Sequence, residues 1–128
     1  MIEKMAGLFI VAHGMVHLWF VTLSMKLVAF KPEMGWNGKS WLLTNAFGDS
    51  VTRSLASILL IVSALGLSVG GVAFTAQARW AQPVLMIFGI LSALTLIIFW
   101  DGGVDMIVQK GLIGFLISVA IVAAVLIF

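Results

Sequence analysis

Four stretches of this chain run for 18 residues or more without one Asp, Glu, Lys or Arg: 5–25, 54–74, 80–100 and 111–128. A bilayer core takes about 20 apolar residues in helical form. Inside hydrocarbon each backbone group must find its partner within the protein, and a helix does this by itself. The expected fold is therefore all-α: a polytopic transmembrane four-helix bundle forming a single transmembrane domain over residues 1–128. Its spans are expected near 5–26, 53–74, 80–100 and 107–128, with a polar loop over 27–52. Composition agrees. Hydrophobic residues make up 62% and charged residues 9%, against roughly a quarter charged in soluble domains. A free water-soluble monomer is excluded. The expected setting is a multi-pass position in the cell membrane, of prokaryotic inner-membrane type.

The chain has no cysteine, which excludes disulfides, zinc fingers, iron–sulfur clusters and thiol catalysis. The net charge is only +2, with no run of Lys or Arg, so nucleic acid is not an expected partner. The expected partners are the lipid bilayer and either a larger membrane complex or a second copy of the chain.

Turn and cap residues fall between the spans. Lys26 can snorkel to the headgroups and Pro32 is expected to end the first helix. Asp49 and Ser50 are N-cap candidates for the second. Pro83 suits the first turn of the third, and Gly102-Gly103 breaks the chain before the fourth. Trp36, Trp41, Trp80 and Trp100 lie near span ends, as an interfacial aromatic belt requires, whereas Trp19 is deep. The piece 41–47 is expected on the membrane surface or dipping back into it. The first span is too long for a signal h-region and lacks a cleavage site, so it reads as a retained helix. Lys26, Lys31, Lys39, Arg53 and Lys110 lie on the loop side, and Lys4 and Arg79 on the terminal side. That imbalance favours cytoplasmic loops.

Small residues recur at helical spacing. Ser63, Gly66 and Gly70 mark the second span, Gly89, Ser92 and Ala93 the third, and Gly111, Gly114 and Ser118 the fourth. Such stripes let helix backbones approach closely in lipid. They are expected to pack the bundle internally, with a dimer seam along Gly66 and Gly70 as the alternative.

The two histidines, His13 and His17, stand at i and i+4 on one face of the first span, at hydrocarbon depth. Ionisable residues there face a bundle interior or a polar cavity. Three readings follow: a structural pair bonded to Ser, Thr or a carbonyl; a metal or haem ligand pair; or a site for protons or a quinone. A metal site would need further ligands, and the Glu of the zinc-helix motif is replaced by Gly14. A pocket lined by His13, His17, Trp19 and Ser24 is the candidate ligand site. Asp101 and Asp105 form a second, weaker pair. Asp101 is expected either to cap the fourth helix or to pair with Lys110. With Lys26, Lys39, Asp49 and Arg53, the two acids are the candidate polar mouth. No hydrolytic triad and no phosphate loop is present.

The run from Gly7 to Leu18, GLFIVAHGMVHL, resembles the first helix of the DoxX-like family of small four-helix membrane proteins. A longer first loop and a glycine-bearing second helix are similar too. His17 stands where that family often has Lys. The resemblance implies a small integral membrane subunit near quinone chemistry, since some members are associated with quinone-linked sulfur oxidation or redox-protective complexes. It implies no catalytic residue. The functional expectation is an accessory or anchoring subunit, or a small-ligand-binding module, of a membrane redox complex. The alternatives are a quinone-linked oxidoreductase using His13 and His17, and a small dimeric transporter. The cofactor candidates are quinone, haem and a divalent metal.

Overall fold

The structure is a computed structural model that describes residues 1–29, 31, 36–104 and 107–127. Four long helices carry the chain: α1 (Ile2–Ser24), α3 (Asp49–Thr75), α4 (Ala81–Ile98) and α5 (Ile113–Ile127), with a single turn, α2 (Thr44–Phe47), in the first loop. Among the described residues there is no strand. Each long helix, α5 being counted from Lys110, has the length and hydropathy to cross a membrane. Neighbours in sequence are neighbours in space: α1 packs on α3, α3 on α4, and α4 on α5.

The packing runs antiparallel at each step. Gly7 near the start of α1 meets Gly71 and Thr75 near the end of α3, while Gly70 meets Val84 and Leu85 early in α4. Gly89 of α4 meets Val122 of α5, and Gly114 of α5 meets Leu96 of α4. The start of α1 and the end of α5 therefore lie at one end of the bundle, and the described loop residues 25–29 and 36–48 at the other.

The glycine stripes are used within the chain. A Cβ on Gly66 would enter the Phe88 ring, and one on Gly70 would lie 2.6 Å from Leu85 Cδ2. The proposed dimer seam on α3 is thus already covered by α4. The closest backbone approach is a different pair, Gly7 against Gly71. A Cβ on Gly71 would lie 2.7 Å from Gly7 O, and one on Gly7 would lie 2.6 Å from Gly71 O.

The helix ends depart from expectation in three places. First, α1 stops at Ser24, two residues short of the expected 26, and Pro32 lies outside the described residues. What ends the helix is Lys26, in the left-handed region at φ 56. Lys26 N–H bonds Leu23 O at 3.2 Å and Leu27 N–H bonds Thr22 O at 3.0 Å, the two bonds of a Schellman motif. The end of α3 repeats it on Gln77 (φ 58), with Gln77 N–H to Phe74 O and Ala78 N–H to Ala73 O. A Lys and a Gln occupy positions where glycine is the usual signal, so the sequence carried no mark of either end.

Second, α3 starts at Asp49 rather than near 53, and its cap is Gly48 with no side-chain bond. Asp49 and Ser50 are not caps. Asp49 instead accepts from Arg53 Nε at 3.1 Å on both oxygens. Third, the regular turns of α5 begin at Ile113, not 107. Residues 108–112 form a wide turn closed by Leu112 N–H to Ile107 O at 3.1 Å, with Gly111 at φ 116. Such π turns insert one residue into a helix and bend it.

The first loop closes the open end of the bundle. The last carbonyls of a helix lack intrahelical donors. Here Trp41 N–H bonds Trp100 O at 2.7 Å, the Trp41 indole N–H bonds Ile97 O at 2.8 Å, and the Ser40 hydroxyl bonds Ile98 O. Trp36 is not part of an interfacial belt. It is 2% exposed, edge-on to Phe99 at 6.3 Å, in a core with Phe20 and Leu60. Trp41 and Trp80 are exposed as a belt requires.

Candidate functional site

Hydrogen-bond chemistry orders the centre of the bundle. His13 and His17 are buried with their rings edge-on, 5.1 Å between centroids. His17 Nδ1 lies 3.0 Å from His13 O, and a carbonyl only accepts, so Nδ1 carries the hydrogen. In a neutral ring Nε2 is then an acceptor, and the Ser92 hydroxyl donates to it at 2.5 Å. Ser92 has spent its one hydrogen, so Ser118 is the donor across the 2.8 Å contact between the two hydroxyls. The Ser118 hydrogen is shared with Gly114 O at 3.0 Å. His13 Nε2–H therefore donates to Ser118 Oγ at 2.9 Å.

The result is a directed chain, His13 to Ser118 to Ser92 to His17, joining α1, α4 and α5. Polar groups in hydrocarbon are costly unless paired, and these four are paired to one another. Histidine 15N chemical shifts are expected to report the Nδ1–H tautomer for His17 and the Nε2–H tautomer for His13. The same tautomer on both rings would refute this ordering. Ser63, also fully buried, has no hydrogen-bond partner among the described residues.

The expected four-residue pocket does not assemble. His13 and His17 come together, but Trp19 is 42% exposed on the outer face. Two residues past His17 is about 200° around a helix. Ser24 shares the histidine face but sits two turns further on, where it donates to Val21 O and lies 2.5 Å from Ser57 Oγ. As a metal or haem site the pair is poor, because both Nε2 atoms are turned to serines. Among the described residues no group of three His, Cys, Asp or Glu stands together.

The polar mouth is two clusters. In one, Asp49 pairs with Arg53 at 3.1 Å and with Lys26 at 3.7 Å. Arg53 also donates from Nη1 to Leu23 O at 2.9 Å and from Nη2 to Asn37 O at 2.8 Å. In the other, Asp101 pairs with Lys110 at 3.0 Å, both side chains 11% exposed. Asp101 also accepts from Gly103 N–H at 2.8 Å and from Asn37 Nδ2 at 3.1 Å. Asp101 is thus a partner of Lys110, not a helix cap. Asn37 joins the two clusters. Asp105 lies outside the described residues, and Lys39 is exposed. Sequence reading missed Asn37, a single uncharged loop residue with no motif around it.

Beside the Asp101–Lys110 pair a cleft of about 160 Å³ opens between the end of α4 and the wide turn. Leu96, Ile97 and Trp100 form one wall, and Lys110, Gly111 and Phe115 the other. Its lining is almost wholly apolar. Lys110 also borders the small void beneath, against Phe20 and Thr95. This cleft was missed as well. Gly111 was read as a packing residue, and the bend it makes depends on φ 116. In comparisons with known proteins, no family model, curated protein or solved structure matches the chain.

Proposed function

We propose that this chain is a small-ligand-binding module of a membrane redox assembly, taking a lipophilic ring compound from the bilayer into the cleft between α4 and α5. The observation that supports this is the cleft itself: apolar, near the end of a span, and lined on one side by Lys110. Binding sites of this kind are mostly apolar with a few placed polar groups. A dry apolar cavity of about 150 Å³ is enough to admit benzene, so the volume suits a single ring with its tail left in lipid. The redox setting and the quinone class rest on the DoxX-like resemblance of α1. The histidine chain takes the part of a structural core in this reading, because its hydrogen bonds are satisfied among its own members.

The test is a titration of the protein, reconstituted in lipid discs, with a short-chain benzoquinone, following tryptophan fluorescence. Saturable quenching is expected, lost in Trp100→Phe and weakened about tenfold by Leu112→Phe, which fills the cleft (about 1.4 kcal/mol per tenfold). Quenching that rises linearly with membrane quinone and is indifferent to Leu112→Phe would sink the reading.

A further inference from the structure

The groove between the end of α1 and the start of α3 carries more donors than its own acceptors can use. It encloses about 360 Å³, and its wall includes Lys26, Asp49, Ser50, Arg53 and Ser54. Its one acid is already engaged, since Arg53 Nε donates to both oxygens of Asp49 at 3.1 Å. Lys26 Nζ stands 3.7 Å from Asp49 Oδ2, beyond hydrogen-bond reach. Its three N–H groups therefore have no acceptor among the described residues. The hydroxyls of Ser50 and Ser54 have no partner among them either. The other two serines of the groove differ: Ser24 donates to Val21 O and Ser57 to Arg53 O. Two cations against one acid leave a charge of +1. What the groove lacks is one negative charge and several acceptors.

A phosphodiester supplies both, with one charge, two anionic oxygens and no donor, and hydrogen bonds to such oxygens are charge-assisted. The groove lies where two membrane spans end, at the level of lipid headgroups. From Ser54 an apolar track runs along α3 into the bilayer. Ile58, Ile61 and Leu65 follow at i+4, i+7 and i+11 on the same face, and all three are exposed. Exposed Met25 flanks the groove on the α1 side. We propose that this groove is a headgroup site for an anionic phospholipid. The phosphodiester accepts from Lys26 Nζ and from the Ser50 and Ser54 hydroxyls, and an acyl chain lies along α3. Arg53 is spent on Asp49, Leu23 O and Asn37 O and serves as wall. A free phosphate shares the oxygen chemistry but has no use for the apolar track. The site is separate from the cleft between α4 and α5 and does not depend on it.

The experiment presents the full chain, in mild detergent, with equimolar phosphatidylglycerol and phosphatidylcholine of the same acyl chains, and counts the first bound lipid by native mass spectrometry. The native chain is expected to select phosphatidylglycerol about fivefold, which is about 1 kcal/mol. Lys26→Gln should bring the ratio close to one. The left-handed conformation at Lys26 tolerates this variant, since Gln77 adopts it at the end of α3 (φ 58). Ser50→Ala/Ser54→Ala leaves every cation in place and should at least halve the selection. Lys39→Gln, at an exposed cation of the same end of the bundle, should leave it unchanged. Equal binding of the two lipids by the native chain overturns the site. Equal losses in Lys26→Gln and Lys39→Gln, or native selection in the serine double variant, overturn the groove in favour of diffuse surface charge. Displacement of phosphatidylglycerol by millimolar inorganic phosphate overturns the lipid as occupant and makes the groove a site for soluble phosphate.

Discussion

Arg53→Ala is expected to be the most damaging single polar substitution, costing about 3 kcal/mol of stability. The guanidinium spans three elements. It bonds the terminal carbonyls Leu23 O at 2.9 Å and Ser24 O at 3.4 Å, Asn37 O at 2.8 Å, and both oxygens of Asp49 at 3.1 Å. Hydrogen bonds to charged groups contribute about 1.5–3 kcal/mol each, and leaving a buried acceptor unpaired adds its desolvation cost. Asp49 is half exposed, so its ion pair contributes little once screened by solvent. The loss is carried by the carbonyls. Arg53→Lys should recover less than half, because an ammonium cannot present a planar fork to partners in three directions. Denaturant unfolding in mixed micelles measures this, and a loss under about 1 kcal/mol for the alanine variant would show the carbonyls finding other donors.

Gly71→Ala is expected to cost about 2 kcal/mol, and Gly71→Val more, in the range of overpacked cores. The new Cβ would stand 2.7 Å from Gly7 O and 2.8 Å from Val11 Cγ2. The first obstacle is backbone, so α1 itself must move. A shift of α1 also draws His13 away from Ser118, so the His13 imidazole resonance should change along with stability. Gly114→Ala is the control: its nearest neighbours are the Leu96 Cδ1 at 3.3 Å and the His13 ring at 3.7 Å, side-chain atoms able to yield. Its cost should stay under about 1 kcal/mol. Equal losses at the two glycines would mean that the α1–α3 approach is not as close as described.

The spans were readable because hydrocarbon imposes a length and forbids charge, and both are visible in a list of residues. That Gly66 and Gly70 mark a close helix contact was readable too, since small residues at helical spacing let backbones approach in lipid, but that the contact is with Phe88 and Leu85 of α4 rather than a second copy was not. The end of α1 was not. Lys26 takes a glycine's conformation there, and nothing in its neighbours announces that a Schellman motif will form. The histidine face was correctly placed in the interior from its period, yet the members of the proposed pocket were wrong. Ser24 lies on the right face at the wrong height, and Trp19 lies on the wrong face.

Sequence alone therefore determined what the bilayer selects for: four helices, all-α, with His13 and His17 turned inward. These are local properties, set by hydropathy and by 100° of rotation per residue. Partners across the bundle depended on the fold. Ser92 and Ser118 complete the histidine chain from 75 and 105 residues away, Asn37 reaches Asp101 across 64, and the cleft exists because Gly111 bends the chain beside Leu96. Helix register and a single positive φ decide those contacts, and neither is a property of any residue read by itself.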